Sequence, residues 1–347
     1  MTTSMDVSEQ AASLHRDAFV CDFTLPYTDL GAPGLKRALL PRFAASGVDF
    51  VSLSIGGDGF DAGTTIKKIA VERAQIQASP DLYRLVDTAD DMLAAKRAGR
   101  VGIAFDLQGT SGLDGSLAMI EVLYILGVRH MLMAYNLRNS VGDGCMEPSD
   151  AGLSGYGRRV VAEMNRVGML VDVAHTGRQT ALDTIAASTS PVIVSHGNAA
   201  AVHSHPRNVD DTLIAAVAKS GGVIGVLGIS NMVNAQYDVS AARLVEHIDH
   251  MVQMVGPDHV GLSLDYVYDQ SFIYEAALAA AGGAFPPGSG YRPDMPLAEP
   301  EDYPRITQAM IDRGYDETSI RKILGLNWYR VAKAVWRPAG GDASDIK

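Results

Sequence analysis

Eight short runs rich in β-branched and apolar residues punctuate the chain, at 18–21, 48–55, 101–107, 130–134, 170–173, 192–194, 223–227 and 260–264. Longer stretches with helical periodicity separate them. In the segment 153–167, Ser154 stands as a helix cap, with Val160, Val161 and Met164 on one face; in 242–255, Leu244, Ile248, Met251 and Val255 recur at helical spacing. Strand followed by helix, repeated, is the pattern of parallel βα units, because parallel strands need a crossover long enough to hold a helix. Eight units with no Pro/Ser-rich linker between them point to an α/β fold of the (β/α)8 barrel type rather than a doubly wound sheet. The expected organisation is one barrel domain over 1–337 with an N-terminal helical lead-in, a loop insertion at 266–301 and a flexible tail at 338–347.

Hydrophobic residues make up 47% of the 347 positions and charged residues 20%, enough apolar surface for a large core. The net charge of −11 argues against a nucleic-acid partner, which needs clustered Lys and Arg. Cys21 and Cys145 lie far apart, so neither a disulfide framework nor a thiolate zinc knuckle is expected. Residues 1–16 lack the basic start and apolar core of a signal peptide. The most apolar later stretch, 213–226, is interrupted by Lys219, Gly221 and Gly222 and is short for a bilayer span. The expectation is a cytoplasmic protein with no membrane partner.

Barrel chemistry collects where the strands end, so the residues following each run carry the functional reading. These are Asp22 and Thr24, Gln108, Tyr135, His175, His196 and Asp265; Gly56, Gly57 and Asp58 follow the second run, and Gly228, Ser230 and Asn231 the seventh. The segments 139–152 and 266–301 are long enough to cover a site. His175 and His196 are 21 residues apart and fall on neighbouring strands. A lone histidine at a strand end is usually a structural hydrogen-bonding residue. Two on one rim beside a carboxylate, Asp265 or Asp22, suit a metal ion that keeps one position for water.

Other candidates rank lower. His203 and His205 form a His-x-His pair in a turn with Pro206. His247 and His250 sit one turn apart on an expected helix, facing solvent or the barrel shoulder. Gly56-Gly57-Asp58-Gly59 lacks the lysine of a phosphate loop and reads as a tight turn. Cys21 reads as packed rather than nucleophilic.

Several motifs in order carry a resemblance: Gly127-Val128-Arg129-His130, Gly168-Met169-Leu170-Val171-Asp172-Val173-Ala174-His175, Pro191-Val192-Ile193-Val194-Ser195-His196, Arg207-Asn208-Val209-Asp210-Asp211 and Val260-Gly261-Leu262-Ser263-Leu264-Asp265. From about residue 17 to 335 the chain resembles the membrane (renal) dipeptidase family of metallopeptidases. That resemblance implies an amidohydrolase-type barrel, usually with two zinc ions bridged by a glutamate, that hydrolyses dipeptides as a homodimer. It further implies His175 and His196 as ligands of one ion, Asp265 as the carboxylate after the last strand, and Arg207 as the receiver of the substrate carboxylate, a role that suits a two-pronged guanidinium. Tyr135 and Asn136 are the further candidate substrate contacts.

The chain also departs from that family. Its first-strand His-x-Asp pair is replaced by Asp22 and Thr24, its bridging glutamate by Gln108, and the histidine that polarises the scissile carbonyl by Tyr135, whose phenol still donates a hydrogen bond. A neutral amide is a poor bridge between two hard ions. With only Asp22 and Asp265 to balance four positive charges, one zinc ion is expected rather than two, held by His175, His196 and Asp265 or Asp22, with Gln108 close by. The expected function is a metal-dependent dipeptidase-like hydrolase acting through activated water, with Asp265 moving the proton and Tyr135 at the oxyanion. The alternatives are another small-molecule hydrolase or isomerase on the same barrel, acting on a lactone or cyclic amide, and a metal-free binding protein.

Overall fold

The computed structural model describes residues 7–27, 33–268, 285–286, 289–292 and 294–339. The tail from 340 onward and all of 269–284 lie outside the described residues, and with them part of the expected loop insertion and the expected flexible tail. Nine strands are described: β1 Cys21–Pro26, β2 Phe50–Gly57, β3 Tyr83–Leu85, β4 Val101–Gln108, β5 Val128–Leu132, β6 Leu170–Asp172, β7 Val192–Ile193, β8 Ile224–Val226 and β9 Val260–Leu262. Helices fill the intervals, as anticipated for Gly155–Val167, capped by the Ser154 side chain, and for Ala241–Val255.

The order β1-β2-β4-β5-β6-β7 runs parallel throughout; a single parallel bridge from Val194 to Ile224 carries it to the β8–β9 pair. The ring closes through Asp22 of β1, whose carboxylate accepts the Ser263 hydroxyl and the Leu264 amide just beyond β9. All eight expected strands are present in this barrel. The ninth, β3, was not foreseen: it is a three-residue strand lying outside the ring on the start of β4.

One boundary matters for the site. Pairing of β1 begins where Cys21 meets Phe50 and runs to Pro26, with the following Tyr27 amide donating to the Ser54 carbonyl at 3.0 Å. Asp22 and Thr24 therefore lie inside a strand, not after it, contrary to the sequence reading.

The C-terminal helix Asn327–Val335 packs across the strand starts. Trp328 is fully buried, stacks on Phe23 at 4.3 Å between centroids and donates its indole N–H to the Leu262 carbonyl at 3.1 Å. Gly261 is required there, since a Cβ would lie 2.6 Å from the Trp328 nitrogen. This aromatic plug seals one end and leaves the strand C-termini as the open face.

Candidate functional site

His175 and His196 converge on that face. Their Nε2 atoms are 2.8 Å apart, both side chains are buried, and each far nitrogen is held: His175 Nδ1 donates to Asn136 Oδ1 at 2.7 Å, while His196 Nδ1 faces Ser195 Oγ at 2.8 Å. Burial, assisted by the positive charge of Arg207, pushes both imidazoles well below the ordinary histidine range, so they are neutral and keep lone pairs to give. Asp265 Oδ2 is 3.9 Å from His196 Nε2. Its carboxyl is pushed up to about 8, mainly by burial and further by the Asp22 and Asp106 charges, against the pull of Arg207.

The backbone pays for this placement. His175 (φ 63°), Asp265 (φ 54°) and Asn136 (φ 57°) are three of the five non-glycine residues in the left-handed region among the described residues. Such conformations concentrate at functional sites because L side chains occupy them only under constraint.

Arg207 is buried, gives one guanidinium N–H to the His196 carbonyl at 3.1 Å, and leaves its Nε without a partner. No carboxylate forms an ion pair with it among the described residues, so it is a buried cation positioned to receive an anion. The Tyr135 ring stacks on His175 at 4.1 Å between centroids, and burial holds its phenol protonated. Cys145, whose thiol is pushed up to about 11 by burial, lies 3.4 Å from Asn136 Oδ1.

The other expected ligands are placed differently. Asp22 has both oxygens engaged: Oδ1 accepts from Thr24 N and Ser263 Oγ, Oδ2 from Leu264 N and Tyr303 Oη, at 2.8–3.1 Å. A carboxylate offers about four acceptor positions, so as placed Asp22 ties the barrel closed and has nothing left for an ion, even though burial raises its pKa to about 6. The Thr24 hydroxyl donates to the Phe23 carbonyl at 2.7 Å. The Gln108 amide approaches Ser54 Oγ at 3.4 Å. Asn136, expected at the substrate, instead gives its Oδ1 to His175.

Two clusters were not read from the sequence. Beneath the rim, where barrels are usually filled by branched apolar side chains, lies a buried polar belt. Ser52 and Ser54 donate to the two oxygens of Asp106 at 2.7 and 2.6 Å; His130 Nε2 reaches the Phe23 carbonyl at 3.0 Å; and His130 Nδ1 lies 3.2 Å from Asp172 Oδ2. Burial pulls the His130 pKa down, but the Asp106 and Asp172 carboxylates on either side outweigh it and raise the value above the ordinary histidine range. The second cluster centres on Asp58. Its side chain accepts from the amides of Thr110, Ser111 and Tyr135 at 3.0–3.1 Å and from Asn139 Nδ2 at 2.9 Å, joining the loops after β2, β4 and β5. Gly109 (φ 137°) permits this approach, since a Cβ there would fall 2.4 Å from the Asp58 carboxyl carbon. The sequence signal for the belt was a charged residue inside a buried strand, Asp106 between Phe105 and Leu107.

The lower-ranked histidines are structural. His203 Nε2 meets the Asn231 carbonyl at 3.1 Å, and His205 Nε2 the Ser289 carbonyl at 3.0 Å. Of the two environments expected for His247, solvent is excluded: it is buried, accepting from Ala199 N and donating to the Val233 carbonyl at 3.1 and 2.9 Å. His250 remains near the surface beside Asp211. Cys21 is packed, as expected.

The residues do not fit a two-ion centre, because Asp22 is engaged and Thr24 and Gln108 are neutral. No three His, Cys, Asp or Glu side chains form a ready cage among the described residues; the two neutral imidazoles converge on one point with partners on their far nitrogens, and a single ion of the zinc type would be held by those two nitrogens with the Asp265 carboxylate, 3.9 Å from His196 Nε2, drawn in. No described helix is long and apolar enough to cross a membrane.

Comparison with known proteins adds four observations. Residues 40–274 match the model of the family described as membrane dipeptidase, peptidase family M19. The dipeptidase verJ of Clonostachys rogersoniana is 28% identical over 273 residues, 78% of this chain, and the chain spans 65% of that protein's length. Among solved structures, an amidohydrolase from Pseudomonas aeruginosa is 30% identical with a TM-score of 0.85, covering 94% of this chain and 99% of its own. A Rhodobacter sphaeroides metallopeptidase liganded with a phosphinate mimic of the dipeptide L-Ala-D-Ala shares the fold at 21% identity and a TM-score of 0.76, covering 92% of this chain and 100% of its own.

Proposed function

The chain belongs to the membrane dipeptidase family, peptidase family M19, and from that premise we propose that it hydrolyses the amide bond of a dipeptide or dipeptide-like small molecule with one zinc ion held by His175, His196 and Asp265. The observation that carries this reading is the pairing of two neutral, converging imidazoles with a buried Arg207 that lacks an anionic partner among the described residues. Arg207 fixes the substrate carboxylate, and the rings of Tyr135 and His175 bound the space where the amide sits. The Tyr135 phenol donates a hydrogen bond to the carbonyl oxygen as charge develops there. The Asp265 oxygen turned away from the ion takes the proton of the attacking water and passes it to the leaving amine. The ion, when bound, supplies Lewis acidity and an acidified water.

The test is elemental analysis of the purified protein together with hydrolysis assays on dipeptides, a lactone and a cyclic amide. Close to one zinc per chain and cleavage of dipeptides is the expected result. Turnover of only the lactone or cyclic amide would move the reaction class, and no stoichiometric metal with no turnover would leave a binding protein. A homodimer and a cytoplasmic location belong to the same proposal, checked by sedimentation and by fractionation.

A further inference from the structure

We propose that the site selects substrates that carry an aromatic ring on the same residue as the free carboxylate, an inference that rests on the dipeptide reading above. Three aromatic side chains stand in series beside Arg207. Tyr135 stacks on His175; Phe285 meets Tyr135 edge-on at 6.2 Å and 72°; Tyr291 meets Phe285 edge-on at 4.6 Å and 74°.

The segment that brings Phe285 and Tyr291 there is fastened at several points. The Ser289 carbonyl accepts from His205 Nε2 at 3.0 Å and from Asn231 Nδ2 at 2.9 Å, and the Gly290 carbonyl accepts from the Tyr237 hydroxyl at 3.2 Å. His205 does double duty, because its Nδ1 accepts the Arg207 amide at 3.1 Å. One imidazole thus holds the ring-bearing segment and the carboxylate-binding residue in a common frame. Arg207 is also close enough for its charge to act on both phenols.

A ligand whose carboxylate lies on Arg207 therefore presents its nearest side chain to a wall of ring faces and edges. Edge-to-face contacts reward an aromatic side chain beyond the area it buries, whereas a methyl group leaves most of that wall uncovered. Tyr135 stands where the family resemblance implies a histidine, so part of the wall replaces a smaller polar ring.

The test uses the zinc-loaded protein with Ala-Phe, Ala-Ala and Phe-Ala as substrates, and calorimetric binding of N-acetylphenylalanine and N-acetylalanine as a readout that needs no turnover. The expected kcat/KM for Ala-Phe exceeds that for Ala-Ala and for Phe-Ala by about tenfold or more, with a similar ratio between the two acetylated acids. Phe285→Ala and Tyr291→Ala each lower the Phe-to-Ala ratio at least about threefold, and Tyr291→Phe keeps it. Equal binding of the two acids within about twofold by the wild type, or an unchanged ratio in both alanine variants, overturns the proposal. Failure to cleave any dipeptide sinks the hydrolase reading instead, and the binding ratio still decides this one.

Discussion

Asp172 Oδ1 accepts the backbone N–H of both Ala174 and Ser195, each at 3.0 Å, so one carboxylate oxygen fixes the two residues that immediately precede His175 and His196. Its other oxygen lies 3.2 Å from His130 Nδ1. The distance between the two imidazoles is thereby set from below, by a group that touches neither ring.

Asp172→Ala should accordingly destabilise the protein by about 3–5 kcal/mol, since it removes the carboxylate beside buried His130 and strands two strand-end amides. Asp172→Asn retains an amide oxygen for Ala174 and Ser195 and should lose clearly less. Urea denaturation of the two variants checks this; equal losses would mean that the charge on Asp172, not its grip on the backbone, matters most.

The purified protein should hold no more than one tightly bound divalent ion per chain, and Gln108→Glu should raise occupancy of a second only in part. The substitution adds a bridging carboxylate, but Thr24 stays neutral and Asp22 remains tied to Ser263, Leu264 and Tyr303. Metal-to-protein ratios by mass spectrometry decide it, and two fully occupied zinc sites in the unmodified protein would overturn the one-ion mechanism.

Arg207→Ala should raise KM far more for dipeptides with a free carboxylate than for their amidated forms, because the lost contact is a charge-assisted pair worth roughly 1.5–3 kcal/mol. Steady-state kinetics on a matched substrate pair measures the difference. An equal loss on both forms would remove Arg207 from carboxylate recognition.

Acid should weaken the fold before most carboxylates titrate. Burial lowers His247 to about 4 from its ordinary value near 6.5, so its contribution is fully present above pH 6.5 and is lost as pH falls through 4. The gap corresponds to about 3 kcal/mol. His247→Gln can both accept from Ala199 and donate to Val233, so its Tm should fall less than that of the wild type between pH 7 and 4.5. Parallel Tm curves would assign the acid sensitivity to other groups.

The barrel was legible because its eight apolar runs carry their own period, and His175 and His196 were legible because they follow such runs directly. Asp22 misled for a specific reason: with the first strand starting at Cys21, a residue read as following the strand falls within it and is spent on closing the ring. The Asp106–His130–Asp172 belt escaped notice because strand patterning treats an interior charge as an interruption, and only the neighbouring strands reveal its partners. Phe285 and Tyr291 sit in a segment whose composition has no periodicity, so nothing local assigns them to the site.

The left-handed backbone at Asn136, His175 and Asp265 has an implication for how these positions respond to substitution. At each position glycine would relax the chain, so the fold itself gains nothing from keeping an amide, an imidazole or a carboxylate there. Glycine at any of the three should therefore cost the fold less than alanine, so a glycine and alanine pair at each position separates the strain of the backbone from the work of the side chain.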